Sequence, residues 1–406
     1  MRLQEIGGSR RRTVAPMSAL AALTVLVTAC QNGAGSGTGN SGAAGTKVTI
    51  TPAGGTVRPD TPITVQAAGG KIKDVIATAN GRGIEGVLSP DRTRWRSRWT
   101  LSPATLHQVT ATVTGRDGKP VTRRGSFTTL RPSQTFHADA RAPFSNEKVG
   151  VGMPIILAFT RPVYNQAEVE KALEVKASKT VEGAWRWTSR QEIVYRPRRY
   201  WTPGEQVTVK AHLSGVRGAK DTYGDRDLNL RFTVGDEVIS TVDTKAYTMT
   251  VKRNGKATRK VPISAGRATK RAYTTTNGVH LTMSKEYKVV ADSATVGIPK
   301  GDPEYYKLDL YWAIRISNSG EYVHSAPWSV ADQGKRNVSH GCVNASPQNA
   351  EWFYKQTQRG DVVVVTGTDR ELEWNNGWGF WQMPWEQWRK GGTPPESAAP
   401  VRPPTG

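Results

Sequence analysis

Across residues 47–368 the chain is dominated by short runs of alternating apolar and polar side chains, each bounded by turn residues. A period of two is the signature of strands that bury one face. Between 47 and 130 the runs are Lys47–Thr51, Ile63–Ala67, Val109–Val113 and Ser126–Thr129, with Asn80-Gly81 and Asp117-Gly118 as turn dipeptides. Between 131 and 235 they are Ile155–Phe159, Ile193–Tyr195, Gln206–Val209 and Leu230–Val234, broken by one helical stretch at Ala167–Val175. The stretch 236–368 opens with Val238–Val242 and Tyr247–Val251, followed by the type I′ signal Asn254-Gly255. Tyr311–Ile316 and Tyr322–His324 are further strands, and the β-branched run at Asp361–Val365 reads as a buried one. Lys288–Leu310 carries Gly297, Pro299, Gly301 and Pro303 and few regular signals, so it reads as a loop. One helix is predicted after residue 346. Ser346 suits the N-cap, Pro347 the first turn, Asn349–Gln358 the body and Gly360 the C′ position.

Short strands at this spacing argue for immunoglobulin-like sandwiches, here without the cysteine pair of antibody domains. The prediction is a mainly β protein. It has two immunoglobulin-like modules, 47–130 and 131–235, joined near Arg131-Pro132, then a β-rich unit at 236–368. A segment 369–406 follows, with Trp374, Trp378, Trp381, Trp385 and Trp388 ahead of a Pro- and Gly-rich tail. Trp185, Trp187 and Trp201 in the second module suit core packing better than sugar stacking. At the other end, residues 1–29 have a basic start and the short apolar stretch Ala15–Ala29 of an export signal. Val27-Thr28-Ala29-Cys30 resembles a lipobox, which makes Cys30 the lipid-attachment candidate. Residues 30–46 then form a Gly/Ser/Ala linker with an r.m.s. reach of roughly 20–25 Å. The chain is thus expected outside the cytoplasm, anchored by lipid to the outer face of the cell membrane and facing the wall.

Charge narrows the partners. A net charge of +22 over 406 residues and a pI near 10.1 invite polyanions. No zinc-finger spacing, helix-turn-helix or RNP-like motif accompanies the charge, so no nucleic-acid partner is expected. Anionic lipid head groups and acidic wall polymers are the alternatives. The six histidines form no HExxH and no Cys/His cluster, so neither a metal nor a cofactor is expected.

Candidate chemistry lies in Tyr322–Pro347, YVHSAPWSVADQGKRNVSHGCVNASP. Cys342 is the only cysteine beyond Cys30. Thiol catalysis needs a base and donors for the oxyanion. His324 is far enough away in sequence for the chain to turn and return beside Cys342. Gly341 permits close approach to a carbonyl, and the Gly341 and Cys342 amides could converge on one oxyanion.

HSAPWSV followed by SHGCVN resembles the signature of the L,D-transpeptidases with a YkuD-type catalytic domain. The resemblance covers about Lys47–Lys390 and is strongest to actinobacterial members with two immunoglobulin-like modules. It implies a cysteine nucleophile at Cys342, with His324 as base and the backbone carbonyl of Ser325 fixing its tautomer. An imidazolium beside the thiol would lower its pKa. His340 is expected to line the pocket. Tyr306 belongs to a lid at 288–310, and Ser319, Trp328, Ser339 and Asn344 match substrate-pocket positions. The implied substrates are peptidoglycan stem peptides, a donor tetrapeptide and an acceptor amine. The implied product is a 3→3 link between diaminopimelate residues, made through a thioester. Carbapenems are the expected inhibitors. The C-terminal segment is expected to fold back on the second module. An L,D-carboxypeptidase using the same acyl-enzyme and an inactive wall-binding scaffold remain alternatives.

Overall fold

Alternation along the chain resolves into the expected strands in a computed structural model, which describes residues 45–179 and 182–391. The stretch read as an export signal, Cys30, most of the stretch read as a linker and the tail beyond 391 lie outside the described residues. The first module pairs two sheets. One contains Lys47–Thr51, Thr64–Ala68, Arg94–Ser97 and Gly86–Leu88. The other is built on Gly70–Ala79, Leu106–Gly115 and Pro120–Thr129. Between them Ile63, Val65, Val109, Ala111, Val113 and Phe127 form one core. Inward-facing alternate residues fill such a sandwich because each strand presents one apolar face.

The second module repeats the plan, with Ile155–Phe159 and Glu192–Pro197 in one sheet and Gln206–Ala211 and Leu228–Val234 in the other. The helix expected at Ala167–Val175 is shorter. It runs over Gln166–Lys171, and Leu173–Ala177 becomes an edge strand paired with Gln206–Ala211. Leu173 and Val175 satisfy the helical pattern and the strand pattern equally, and pairing with Val209 and Ala211 decides for the strand. Trp187 and Trp201 are fully buried, donating from Nε1 to Glu170 at 2.6 Å and to the Met153 carbonyl at 2.7 Å. They are core residues.

In the third unit Val362–Thr366 lies between Val238–Asp243 and Gly278–Leu281 in a five-stranded sheet. Its neighbour on one side is parallel and on the other antiparallel. A four-stranded sheet runs Ser284–Asp292, Lys307–Arg315, Tyr322–Ser325 and Val343–Ala345. The Pro347–Gln356 helix starts at Ser346, whose hydroxyl accepts from the Asn349 N–H at 3.4 Å. The helix ends at Thr357 in extended geometry, so Gly360 is not its C′ residue. Gly360 is in the left-handed region at φ 85°, and a Cβ there would come within 2.7 Å of Met153 Cβ. It is a glycine because the second module packs directly against it. The same interface continues into one buried cluster that joins Met153, Tyr195 and Trp201 to Leu281, Val362, Phe380, Met383 and Trp388. The C-terminal segment therefore folds back onto the second module.

Candidate active site

Two parallel strands bring the signature residues together. Tyr322–Ser325 pairs with Val343–Ala345 in the register Val323 to Val343, His324 to Asn344 and Ser325 to Ala345. Val323, Val343 and Ala345 are buried in the core and anchor the pair. His324 is only 3% exposed, and Cys342 is the half-buried residue that precedes the second strand. The turn before it is closed by Ser339, whose Oγ accepts from the Gly341 N–H at 3.1 Å and donates to the Cys342 carbonyl at 2.6 Å. Gly341 has φ 133°, a torsion that residues with a Cβ rarely take. Thr275 Oγ1 holds the Gly341 carbonyl at 2.8 Å. The Gly341 amide was expected to face an oxyanion. Here it is bonded to Ser339 instead.

His324 Nδ1 lies 2.9 Å from the Ser325 carbonyl. Only an Nδ1–H can serve that acceptor, so the neutral ring leaves Nε2 bare. Burial holds His324 down to about 4 and pushes the Cys342 thiol up to about 12. The expected imidazolium-lowered thiol is corrected on this point. Both charged forms are penalised by loss of water, so the resting pair is thiol and neutral imidazole. The thiol points at the Gly320 carbonyl, 3.6 Å from Sγ. The Tyr322 backbone N–H favours the thiolate and the Glu321 carboxylate opposes it.

Two cavities meet at Cys342. One of about 190 Å³ is lined by His324, Trp328, Val338, Ser339, Asn344, Leu308 and Leu310. The other, of about 370 Å³, contains Ser319, Gly320, Tyr322, Arg315 and Arg370. Tyr306 and His340 border both. Trp328 is 53% exposed, and its ring centroid is 6.0 Å from that of His324. Asn344 Nδ2 donates to Ser329 Oγ at 3.1 Å, and Ser319 Oγ accepts from Asn376 Nδ2 at 3.0 Å. Both side chains therefore brace the walls on which they sit.

The stretch read as an irregular lid is the tip of a hairpin together with the ends of its two arms. Strand continues to Asp292 and resumes at Lys307, leaving residues 293–306 as its tip. Leu308 and Leu310 alternate with Lys307 and Asp309 and pair with the apolar run Val289-Val290-Ala291, despite the glycines and prolines nearby. Ser293 Oγ accepts from the Tyr306 N–H at 3.0 Å, fixing the tip. Burial raises the Tyr306 phenol well above its ordinary value, so it stays a protonated donor beside Cys342. Glu304 Oε2 lies 2.6 Å from an Arg267 guanidinium nitrogen and 3.0 Å from His340 Nε2. Tyr273 packs edge-on against His340, with ring centroids 4.6 Å apart.

Sequence reading did not find Arg267, Glu304, Thr275 or Glu321. Glu321 is buried, accepting from the Thr276 N–H and hydroxyl, both at 2.7 Å, with His280 Nε2 3.9 Å away. These residues come from separate loops and turns and carry no spacing signal. The only local hint was a charged residue inside the Ser319–His324 run.

Comparison with known proteins matches this geometry to one family. The description "L,D-transpeptidase catalytic domain" fits residues 237–365, and "Bacterial Ig domain" fits residues 54–217. L,D-transpeptidase 2 of Mycobacterium tuberculosis is 38% identical over 337 residues, covering 82% of this chain and 81% of that protein. L,D-transpeptidase 5 of the same organism is 32% identical over 353 residues, covering 85% and 76%. A solved LD transpeptidase in complex with imipenem covers 58% of this chain and 100% of its own, at 36% identity and a TM-score of 0.50.

Proposed function

The chain belongs to the L,D-transpeptidase family, and from that premise we propose that it forms 3→3 cross-links in peptidoglycan through a thioester on Cys342. The observation that carries the reading is the Nδ1–Ser325 bond, which leaves His324 Nε2 as a base on the cavity shared with Cys342. Cys342 Sγ attacks the carbonyl joining the L-centre of diaminopimelate to the terminal D-alanine, as Nε2 takes the thiol proton. A neutral thiol and a neutral base avoid a buried ion pair at rest, so the proton moves as the S–C bond forms. The Cys342 N–H and the Tyr306 hydroxyl are the donors for the tetrahedral oxyanion. Collapse breaks the C–N bond, and His324 returns the proton to the departing D-alanine amine. The side-chain amine of a second diaminopimelate then attacks the thioester, loses its proton to Nε2 and restores the thiol.

His324 faces a cavity walled by Trp328, Leu308, Leu310 and Val338, which disfavours water against a peptide amine at the thioester. Purified protein incubated with muropeptides should give dimers short of one D-alanine by mass spectrometry. Tripeptides alone would mean hydrolysis, and no product would mean a scaffold. A carbapenem should add its intact mass to a Cys342 peptide, and Cys342→Ala should abolish the adduct. Cys30 is proposed as a lipid anchor that holds the enzyme on the outer face of the membrane. The Cys30→Ala protein should leave the membrane fraction, and full retention would remove the anchor from the proposal.

A further inference from the structure

Beside the hairpin that carries Tyr306, and outside both cavities, four aromatic rings meet at the surface. Tyr311, Tyr287, Trp312 and Tyr354 are neighbours in that order, with ring centroids 5.6, 4.8 and 5.3 Å apart and planes inclined at 72°, 83° and 62°. None of the four lines either cavity. Trp312 and Tyr354 rest on the core of the unit, while Tyr287 is 58% and Tyr311 39% exposed. Their edge-to-face contacts leave ring surface of Tyr287 and Tyr311 in solvent. Among the described residues no group pairs with the hydroxyls of Tyr287, Tyr311 or Tyr354.

Trp312 reaches this position at a conformational cost. It lies inside the strand Lys307–Arg315 at φ 53°, in the left-handed region that a bulky side chain rarely enters. The register with Tyr322–Ser325 shifts at the same place, between Tyr311 and Ile314. Such a bulge re-aims a side chain, and strain held in this way collects at functional positions. The catalytic pair is aligned by another pairing, the regular one between Tyr322–Ser325 and Val343–Ala345.

The rim decides what fits on these rings. The ammonium groups of Lys285, Lys288 and Lys355 stand 4.7, 5.9 and 5.9 Å from the centroids of Tyr354, Tyr311 and Trp312. Each already has a partner. Lys285 donates to the Thr357 carbonyl at 2.5 Å, Lys288 pairs with Asp309 at 2.9 Å and Lys355 with Glu351 at 2.6 Å. An anionic lipid surface calls for basic residues with charge to spare. Ring faces and open hydroxyls beside balanced charges suit a neutral, hydroxyl-rich polymer. A pyranose offers axial C–H bonds to a ring face, and hydroxyl and acetamido groups to the polar edge.

We propose that this cluster docks the polysaccharide backbone of peptidoglycan, a chain of N-acetylated hexosamines, and so holds the strand whose stem peptide reaches Cys342. The proposal rests on the transpeptidase reading above, since a stem peptide arrives attached to such a chain.

The test uses the full chain and immobilised glycan strands from which an amidase has removed the stem peptides. The wild type should bind them in biolayer interferometry. Tyr287→Ala and Tyr311→Ala should each raise Kd about two- to tenfold, the range expected for one ring contact. Tyr287→Phe should keep most of the wild-type affinity. Carbapenem acylation of Cys342 should keep its wild-type rate in all three variants. Equal binding by the wild type and the alanine variants, or no binding by the wild type, overturns the surface. A parallel loss of acylation rate also overturns it, because the rings would then only support the hairpin. So does a loss confined to phosphatidylglycerol vesicles or to self-association in sedimentation, which would make the occupant a membrane or a second copy. The transpeptidase reading is scored separately, on free stem tetrapeptides. Their failure to form dimers overturns that reading, while strand binding, which involves no chemistry, still decides the surface.

Discussion

The tryptophans of the C-terminal segment and the aromatic rings around Cys342 are similar materials put to opposite uses. In the first set, Trp388 is fully buried and donates to the Ala184 carbonyl at 3.0 Å. Trp381 donates to the Gly152 carbonyl at 2.9 Å. The Arg196 guanidinium lies 4.8, 5.5 and 4.9 Å from the ring centroids of Trp381, Trp385 and Trp388, and donates to the Met383 carbonyl at 2.6 Å. Burial lowers Arg196 to about 10, yet it keeps its charge at neutral pH among indole faces and carbonyls. In the second set, Trp328 and Tyr306 edge cavities that stay open. Their polar tips and neighbours are left for a substrate. Aromatic rings become structure where backbone acceptors and a cation close around them, and become a site where something else must complete the packing.

The sharpest way to break this comparison is at the base. His324→Ala should lower carbapenem acylation by roughly two to four orders of magnitude, with the melting temperature little changed. Below a thiol value pushed up to about 12, the thiolate fraction still rises roughly tenfold per pH unit, so the deficit should narrow steadily as pH rises from about 6 to 9. Wild-type acylation needs neutral imidazole. It should hold as pH falls and drop only through about 4, where His324 protonates. A stopped-flow profile with its acid limb at 6–7 would mean that burial does not depress the imidazole, and the argument for a neutral resting pair would lose its support.

On the structural side, Trp388→Ala should cost about 3–5 kcal/mol of stability, the usual range for removing a buried tryptophan. Acylation measured well below the melting transition should keep its wild-type rate. Thermal denaturation and acylation kinetics on one preparation check both halves. A parallel loss of rate would mean that the C-terminal cluster shapes the site, and the contrast between the two regions would fail.

These regions were unequally legible in the sequence. His324, Ser325 and Cys342 stand in one signature because two short paired strands bring them together, and local spacing records that. The tryptophan cluster was visible as composition, but its cation was not, since Arg196 and Trp388 are joined only by tertiary packing. The hairpin within 288–310 was missed because Gly297, Pro299, Gly301 and Pro303 crowd its tip and mask the pattern on its arms. Gly360 was misread as a helix cap because the left-handed torsion it supplies serves a domain contact with Met153.

The smallest expected effect tests how far the open region is held in shape before substrate arrives. Glu304 sits on the hairpin tip and meets Arg267 and His340 from elsewhere in the unit. His340 Nε2 is 3.0 Å from Glu304 and 3.1 Å from an Arg267 nitrogen. When it carries a proton it donates to Glu304, and when bare it accepts from Arg267, so neither state is left without a partner. Arg267 first, then His340, holds the Glu304 carboxyl below its ordinary value. A depressed acid contributes to closure above its ordinary pKa and stops contributing as pH falls through the lowered one. Glu304→Gln should therefore raise KM for the donor about two- to fivefold at neutral pH, in keeping with an exposed ion pair, and change kcat little. Variant and wild type should converge only as pH falls below the ordinary glutamate value of about 4.3 and through the lowered one. Steady-state kinetics at the two pH values separate this latch from a plain contact, because a difference that persisted in acid would owe nothing to the carboxylate's charge.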